Sequence, residues 1–88
     1  MEVRYSKSAQ KTIKDMDAQL KSRIHLAINK LMLNPPEGDI KPMQGLEYED
    51  CYRVRVGNYR IIYKFGVEDT LDILYIIKIG PRGDVYKK

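Results

Sequence analysis

The chain has 88 residues and a formal net charge of +4, and a chain of this length supports one hydrophobic core and one domain, residues 1–88. No apolar run approaches the ~20 residues that span a bilayer, and the N-terminus lacks the apolar segment of a secretory signal, so we expect a cytoplasmic protein. One cysteine and one histidine exclude an internal disulfide framework and a set of thiol ligands for zinc.

The chain opens with a short strand that leads into a helix. Val3 and Tyr5 flank Arg4 with the alternation of a strand, which stops at Ser6, a favourable residue for capping a helix N-terminus. Apolar residues then recur at helical spacing with lysines on the opposite side, which predicts a short amphipathic helix over residues 7–16.

A second helix follows almost directly. Asp17 can cap its N-terminus, and Pro35 cannot continue it, so we expect it to end near Asn34. The apolar stripe of this helix consists of Leu20, Ile24, Ala27, Ile28 and Leu31. Two helices joined by so short a connection predict an antiparallel helical hairpin.

Residues 35–50 interrupt the regular pattern. They are rich in proline, glycine and acidic residues and carry a net charge of −4, whereas the segments on either side each carry +4. Residues 40–46 can adopt an extended conformation. We therefore expect a linker that contains a weak edge strand.

The next segment alternates with a period of two, which is typical of a β-hairpin. Its strands cover residues 52–56 and 59–65 around the two-residue loop Gly57–Asn58. A third strand over residues 70–79 is apolar on both faces and should lie inside the sheet, and Gly80–Pro81 should break it. The predicted fold is α+β: a short N-terminal strand, a helical hairpin, then a mainly antiparallel β-meander of about four strands with the helices on one face.

Three arginines of the hairpin fall on one face of the sheet. With Gly57–Asn58 as the loop, Arg55 stands directly opposite Arg60, and Arg53 shares their side, which we call the arginine face. Like charges in this position destabilise a strand pair, and the sequence places no acid between them. Because the planar arginine fork binds phosphate in bidentate fashion, the cluster indicates an anionic ligand. The alternative is a solvated strand face with scattered charge.

The last residues add two side chains to this picture. A turn after Gly80–Pro81 can bring Arg82 and Tyr86 towards a sheet edge. The Tyr86 phenol can donate a hydrogen bond, and its ring can stack on an unpaired base. The alternative for Tyr86 is a cap over the core.

The ordered set of these motifs resembles the RelE branch of the RelE/ParE toxin superfamily. The similarity covers essentially the whole chain. Its most specific part is the hairpin Tyr52-Arg53-Val54-Arg55-Val56-Gly57-Asn58-Tyr59-Arg60, followed after a hydrophobic strand by Gly80-Pro81-Arg82 and Val85-Tyr86.

The resemblance implies a toxin of a type II toxin–antitoxin system that acts as a ribosome-dependent endonuclease on messenger RNA in the A site. In this chemistry the 2′-hydroxyl attacks the adjacent phosphate without a metal or other cofactor. The catalytic residues implied are Arg55, Arg60, Arg82 and Tyr86, and the phosphate-binding residues are Arg53, Arg55 and Arg60. The implied partners are a RelB-like cognate antitoxin, the ribosome with its message, and promoter DNA only through the antitoxin complex, with no membrane.

The sequence departs from the best-known members of the branch, which carry lysines at the positions of Arg53 and Arg55. Arginine stays protonated at physiological pH and is therefore a poor general base. The candidates for that role are Tyr86, Glu47 or Glu49, or no strong base at all, with catalysis mainly electrostatic.

Two other functions compete with RNA cleavage. A ParE-like inhibitor of DNA gyrase would share the fold but not the phosphate-handling residues. A catalytically inactive homologue that binds RNA or an antitoxin is favoured if arginine cannot replace lysine as the base.

Overall fold

The computed structural model describes residues 1–81 and has the α+β architecture that the sequence predicts. In chain order the elements are β1 (Glu2–Tyr5), α1 (Lys7–Lys14), α2 (Ala18–Leu31), β2 (Asp39–Pro42), β3 (Tyr52–Val56), β4 (Tyr59–Glu68) and β5 (Leu71–Pro81). The described strands form one five-stranded sheet in the order β1-β5-β4-β3-β2. The sequence predicted about four strands. The sheet has five because the weak edge strand of the linker and the N-terminal strand both pair with other strands.

The two helices begin at the caps that the sequence predicts. The Ser6 side chain accepts a hydrogen bond from the backbone N–H of Ala9 at 3.0 Å, and Asp17 Oδ1 accepts one from Leu20 at 2.8 Å. Each helix is two or three residues shorter than predicted, ending at Lys14 and Leu31. The predicted end of α1 was wrong because apolar periodicity continues into the turn after Lys14. The predicted end of α2 was too late because Pro35 sets only the last residue that the helix could reach.

The first and last strands of the described chain pair with each other in parallel, and all other pairs in the sheet are antiparallel. β5 therefore lies inside the sheet, as predicted, between β1 and β4. The prediction that Gly80–Pro81 breaks this strand was wrong, since β5 continues through Pro81, opposite Tyr59. Pro81 is tolerated because β1 pairs only with Ile73 to Ile76. Among residues 1–81, the end of β5 therefore has one neighbouring strand, and its other edge needs no N–H donor.

The main core lies between the helices and one face of the sheet. Its buried members are Ala9, Ile24, Ile28, Leu31, Val54, Ile61, Tyr63, Leu74, Ile76 and Ile79. The helices supply the first four of these and the strands the rest. Because this face of the sheet meets the helices, the arginine face points away from them.

Tyr63 makes this core sensitive to alkaline pH. Its side chain is 1% exposed, and burial, with a smaller contribution from Tyr52, raises the pKa of its phenol to about 12. A raised pKa stabilises the fold fully below the unfolded pKa of 10, and this stabilisation disappears as pH rises towards 12. We expect the free energy of unfolding to fall over this range by at most about 1.4 kcal/mol per pH unit from this group.

Denaturant titrations of the wild type and Tyr63→Phe from pH 9 to 12 would measure this effect. The variant should lose less stability over the interval because it has no phenol to ionise. Equal pH slopes in the two proteins would contradict the assignment to Tyr63.

Candidate active site on the arginine face

The hairpin between β3 and β4 has the predicted register. Arg55 lies directly opposite Arg60, and Arg53 lies opposite Ile62. Gly57 opens the loop with a φ of 58°, a left-handed conformation that glycine adopts without strain. The loop thus fixes the register, and the register brings the two facing arginines together.

Arg60 is the most unusual side chain of this face. It is only 7% exposed, and its Nη1 atom is buried without a hydrogen-bond partner within residues 1–81. A buried donor left unpaired costs about 1–3 kcal/mol, and more if it is charged. A site that retains such a donor is suited to an anion that supplies the missing acceptor.

Arg55 complements Arg60 on the neighbouring strand. Its side chain is exposed, and among the described residues it makes no ion pair or side-chain hydrogen bond. The facing pair therefore combines one buried guanidinium with one that is accessible to solvent. Together they can contact two sides of one phosphate group.

Arg53 differs from both because its side chain contacts Asp39. Its Nη1 donates to the Asp39 carbonyl at 2.9 Å and lies 3.5 Å from Asp39 Oδ1, and the Arg53 side chain is 13% exposed. The expectation that no acid lies among the arginines was wrong, because pairing of β2 with β3 places Asp39 opposite Arg55. A phosphate-binding role for Arg53 stays a prediction, and the contacts seen here join it to the edge strand.

The other residues predicted for the site are Arg82, Tyr86, Glu47 and Glu49. Arg82 and Tyr86 fall outside residues 1–81. Glu47 and Glu49 line a cleft of about 490 Å³ on the sheet, together with Arg4, Lys64 and Tyr75. We call it the Tyr75 cleft. None of the three arginines lines it. These two carboxylates therefore belong to a neighbouring region.

Sequence reasoning missed a second polar row on this side of the sheet. Arg4 lies opposite Tyr75, and Tyr75 lies opposite Lys64, so one row crosses β1, β5 and β4. Strict alternation along β4 from Arg60 could have placed Lys64 on the arginine face. Tyr75 is hidden in an apolar run, and Arg4 joins it only through the parallel pairing of distant strands.

Cys51 is buried close to this row. It packs with Ile62 in a small second core, which includes Met43, Tyr48 and Ile77. Burial raises the pKa of the Cys51 thiol, although the charge of Lys64 opposes the shift. A thiol that stays protonated is a poor nucleophile, so Cys51 serves the packing of the loop before β3.

Residues 1–81 contain no group of three or more histidine, cysteine, aspartate or glutamate side chains arranged to hold a metal ion. Within the same range, no helix is long and apolar enough to cross a membrane.

The sequence of this chain is similar to those of known toxins. The family model of the ParE toxin of type II toxin–antitoxin systems matches residues 3–86. Toxin RelE3 of Methanocaldococcus jannaschii is 34% identical over 90 residues, which cover 98% of this chain and 96% of that protein.

Solved structures agree with the sequence relatives. The archaeal RelE–RelB complex from Pyrococcus horikoshii matches with a TM-score of 0.69 and 28% identity over 93% of this chain and 94% of that chain. The YoeB/ParE toxin from Agrobacterium tumefaciens matches with a TM-score of 0.75, over 93% of this chain and 99% of that chain. At 16% identity, the second match supports the fold alone.

Proposed function

This chain is a RelE-type toxin of the ParE toxin family of type II toxin–antitoxin systems, and we propose that it is a ribosome-dependent endonuclease that cuts messenger RNA in the A site. The proposal follows the chemistry that the RelE branch implies. The 2′-hydroxyl of a nucleotide attacks its own 3′-phosphate, which yields a 2′,3′-cyclic phosphate and releases a 5′-hydroxyl. Such a reaction takes place in the cytoplasm, where translating ribosomes are found.

The buried Nη1 of Arg60, which has no hydrogen-bond partner within residues 1–81, is the observation that carries this proposal. Negative charge develops on the phosphate oxygens as the 2′-hydroxyl attacks, and a donor fixed in advance stabilises that charge without reorganisation. Arg55, directly opposite on β3, adds a second cation to the same group. The family resemblance assigns Arg82 to the same task and Tyr86 to the orientation of the reacting nucleotide.

Proton transfer is the part of the reaction for which these arginines are poorly suited. Arginine stays protonated at physiological pH and cannot serve as an efficient base. Glu47 and Glu49 line the neighbouring Tyr75 cleft, and Asp39 already engages Arg53. We therefore propose that catalysis is mainly electrostatic, with Tyr86 as the candidate for proton transfer.

The direct test uses purified protein and ribosomes that carry a defined message with an empty A site. Primer extension should reveal new 5′-ends within the A-site codon, and these ends should be absent when the same RNA is incubated without ribosomes. Intact message on the ribosome would refute the nuclease.

Inhibition of DNA gyrase is the second candidate function, because the matching family model is that of the ParE toxin. A supercoiling assay with purified gyrase separates the two. Inhibition of supercoiling together with intact message would establish the gyrase function in place of the nuclease. The buried guanidinium of Arg60, which is suited to binding a phosphate, favours RNA cleavage over gyrase inhibition.

A RelB-like antitoxin is the partner that we propose for the opposite side of the sheet. An apolar groove of about 410 Å³ on this side is lined by Pro36, Gly38, Ile40, Tyr52, Tyr63 and Phe65. Phe65 and Tyr52 at its rim are both exposed. The matched archaeal toxin was solved as a RelE–RelB complex, and an apolar groove of this kind suits apolar side chains of a partner segment.

Placing a charge in this groove should separate neutralisation from cleavage. We expect Phe65→Glu to weaken binding of the cognate antitoxin by about 30-fold or more, the loss typical of a hot-spot residue. Isothermal titration with the antitoxin and the ribosome assay would be run on the same preparation. Antitoxin affinity equal to that of the wild type would show that the groove is not the binding surface.

A further inference from the structure

The edge of the Tyr75 ring packs against a glycine of the neighbouring strand. A Cβ atom added at Gly66 would sit 2.7 Å from Tyr75 Cε2, so only glycine leaves room for the ring in this position. Lys64 Nζ lies 5.9 Å from the centroid of the same ring. The ring is therefore positioned beside β4 by the absence of a side chain at Gly66.

The phenol end of this ring is also fixed. Its hydroxyl donates to Glu68 Oε2 at 2.6 Å, and this bond is the main reason why the pKa of Tyr75 is raised. Arg4 pairs with Glu2, and its Nη2 lies 3.6 Å from Glu68 Oε1. Each exposed ion pair is weak alone, but together with Gly66 they hold the ring in one orientation.

The ring lines the Tyr75 cleft together with groups of both charges. Arg4 and Lys64 are basic, and Glu47 and Glu49 are acidic. The cleft also contains Leu46, whose side chain is 93% exposed. A site with balanced charge, an aromatic ring and an exposed apolar side chain suits a neutral, flat molecule with polar edges better than a bare phosphate.

The distance from Arg60 connects this cleft to the proposed reaction. Lys64 lies four residues from Arg60 on the same face of β4, which is about 13–14 Å at 3.4 Å per residue. At roughly 3.4 Å per nucleotide in a stacked strand, this is about four nucleotides, and fewer in an extended strand. One RNA strand can therefore contact Arg60 and the cleft together.

We propose that the Tyr75 cleft binds one unpaired base of the same RNA strand that is cut beside Arg60. The inference rests on the proposed RNA cleavage and adds a subsite to it. The base stacks on Tyr75, and the charged groups of the cleft bond to its edge. The cleft therefore gives the toxin a preference for one base at a position a few nucleotides from the cleaved bond.

The test compares binding with cleavage. Short fluorescein-labelled RNA oligonucleotides that differ at one position are titrated with the wild type and Tyr75→Leu, and fluorescence anisotropy gives the affinity for each. We expect Tyr75→Leu to bind the preferred oligonucleotide about 5- to 100-fold more weakly, the range expected for losing one stacked base. Affinities for the other oligonucleotides should converge on the same value.

Two further variants make the result specific. Gly66→Ala keeps the tyrosine but fills the space that its ring edge occupies, so it should reproduce the loss of Tyr75→Leu. Leu26→Ala removes an exposed apolar side chain from α2, on the opposite side of the sheet, and should bind RNA as the wild type does. Circular dichroism on each variant verifies that the fold is retained.

The outcomes distinguish this inference from the nuclease proposal. Equal affinities of the wild type and Tyr75→Leu, or no oligonucleotide binding at millimolar concentration, would overturn the base site even if ribosomes show cleavage. A wild type that binds with a Tyr75-dependent base preference but leaves ribosomal message intact would refute the nuclease and retain the base site.

Discussion

Replacing Arg60 with methionine is expected to reduce cleavage of ribosome-bound message by about 100- to 1,000-fold, the usual effect of removing one preorganised donor from a developing negative charge. The substitution deletes a buried guanidinium whose Nη1 has no partner within residues 1–81 and leaves a side chain of similar length. Because the substitution breaks no Nη1 hydrogen bond within residues 1–81, it should not destabilise this part of the fold. We expect an unfolding temperature equal to that of the wild type or higher.

Single-turnover cleavage on programmed ribosomes and thermal unfolding by circular dichroism would be measured on the same samples. Lys14→Met is a suitable control, because it removes one positive charge from an exposed position of α1, on the other side of the sheet. It should cut message at the wild-type rate. Undiminished cleavage by Arg60→Met would remove Arg60 from the reaction.

Replacing Tyr63 with alanine should have the largest effect on stability. Tyr63 is 1% exposed, stacks on Tyr52 with ring centroids 5.9 Å apart, and contacts the edge of Phe65 at 5.7 Å. Truncating a buried aromatic residue typically costs about 3–5 kcal/mol. Domains of this size are stable by only about 5–15 kcal/mol, so the variant should lose a large fraction of its stability and unfold at a lower temperature.

Urea denaturation would measure this loss, and Tyr52→Ala provides the matched control from the same ring pair. Tyr52 is 38% exposed, so its truncation should cost no more than about 1 kcal/mol, as for other partly exposed positions. Above its unfolding temperature Tyr63→Ala should lose RNA cleavage and antitoxin binding together, whereas Arg60→Met should lose cleavage alone. Similar urea midpoints for Tyr63→Ala and Tyr52→Ala would contradict the role of Tyr63 as a central core residue.

Local signals in the sequence predicted the features that depend on neighbouring residues. Ser6 and Asp17 cap the two helices, and the period-2 pattern around Gly57 gives the register that pairs Arg55 with Arg60. These features were predictable because capping and hairpin pairing involve residues only a few positions apart.

Features that depend on distant pairing could not be read in the same way. The contact of Asp39 with Arg53 requires the edge strand β2 to pair in one particular register. The row from Arg4 through Tyr75 to Lys64 requires the parallel pairing of β1 with β5. Neither register is encoded by a turn between the two strands, so it is set by the packing of the whole sheet.

The pairing of β1 with β5 also determines when this protein can complete its fold. The first strand, Glu2–Tyr5, pairs with residues 73–76 of β5. Its partner therefore lies about 70 residues later in the chain. Contacts between such distant segments carry a high loop-closure cost and slow folding. A ribosome that synthesises the toxin must therefore translate through β5 before β1 can pair. The complete sheet cannot form on a shorter nascent chain.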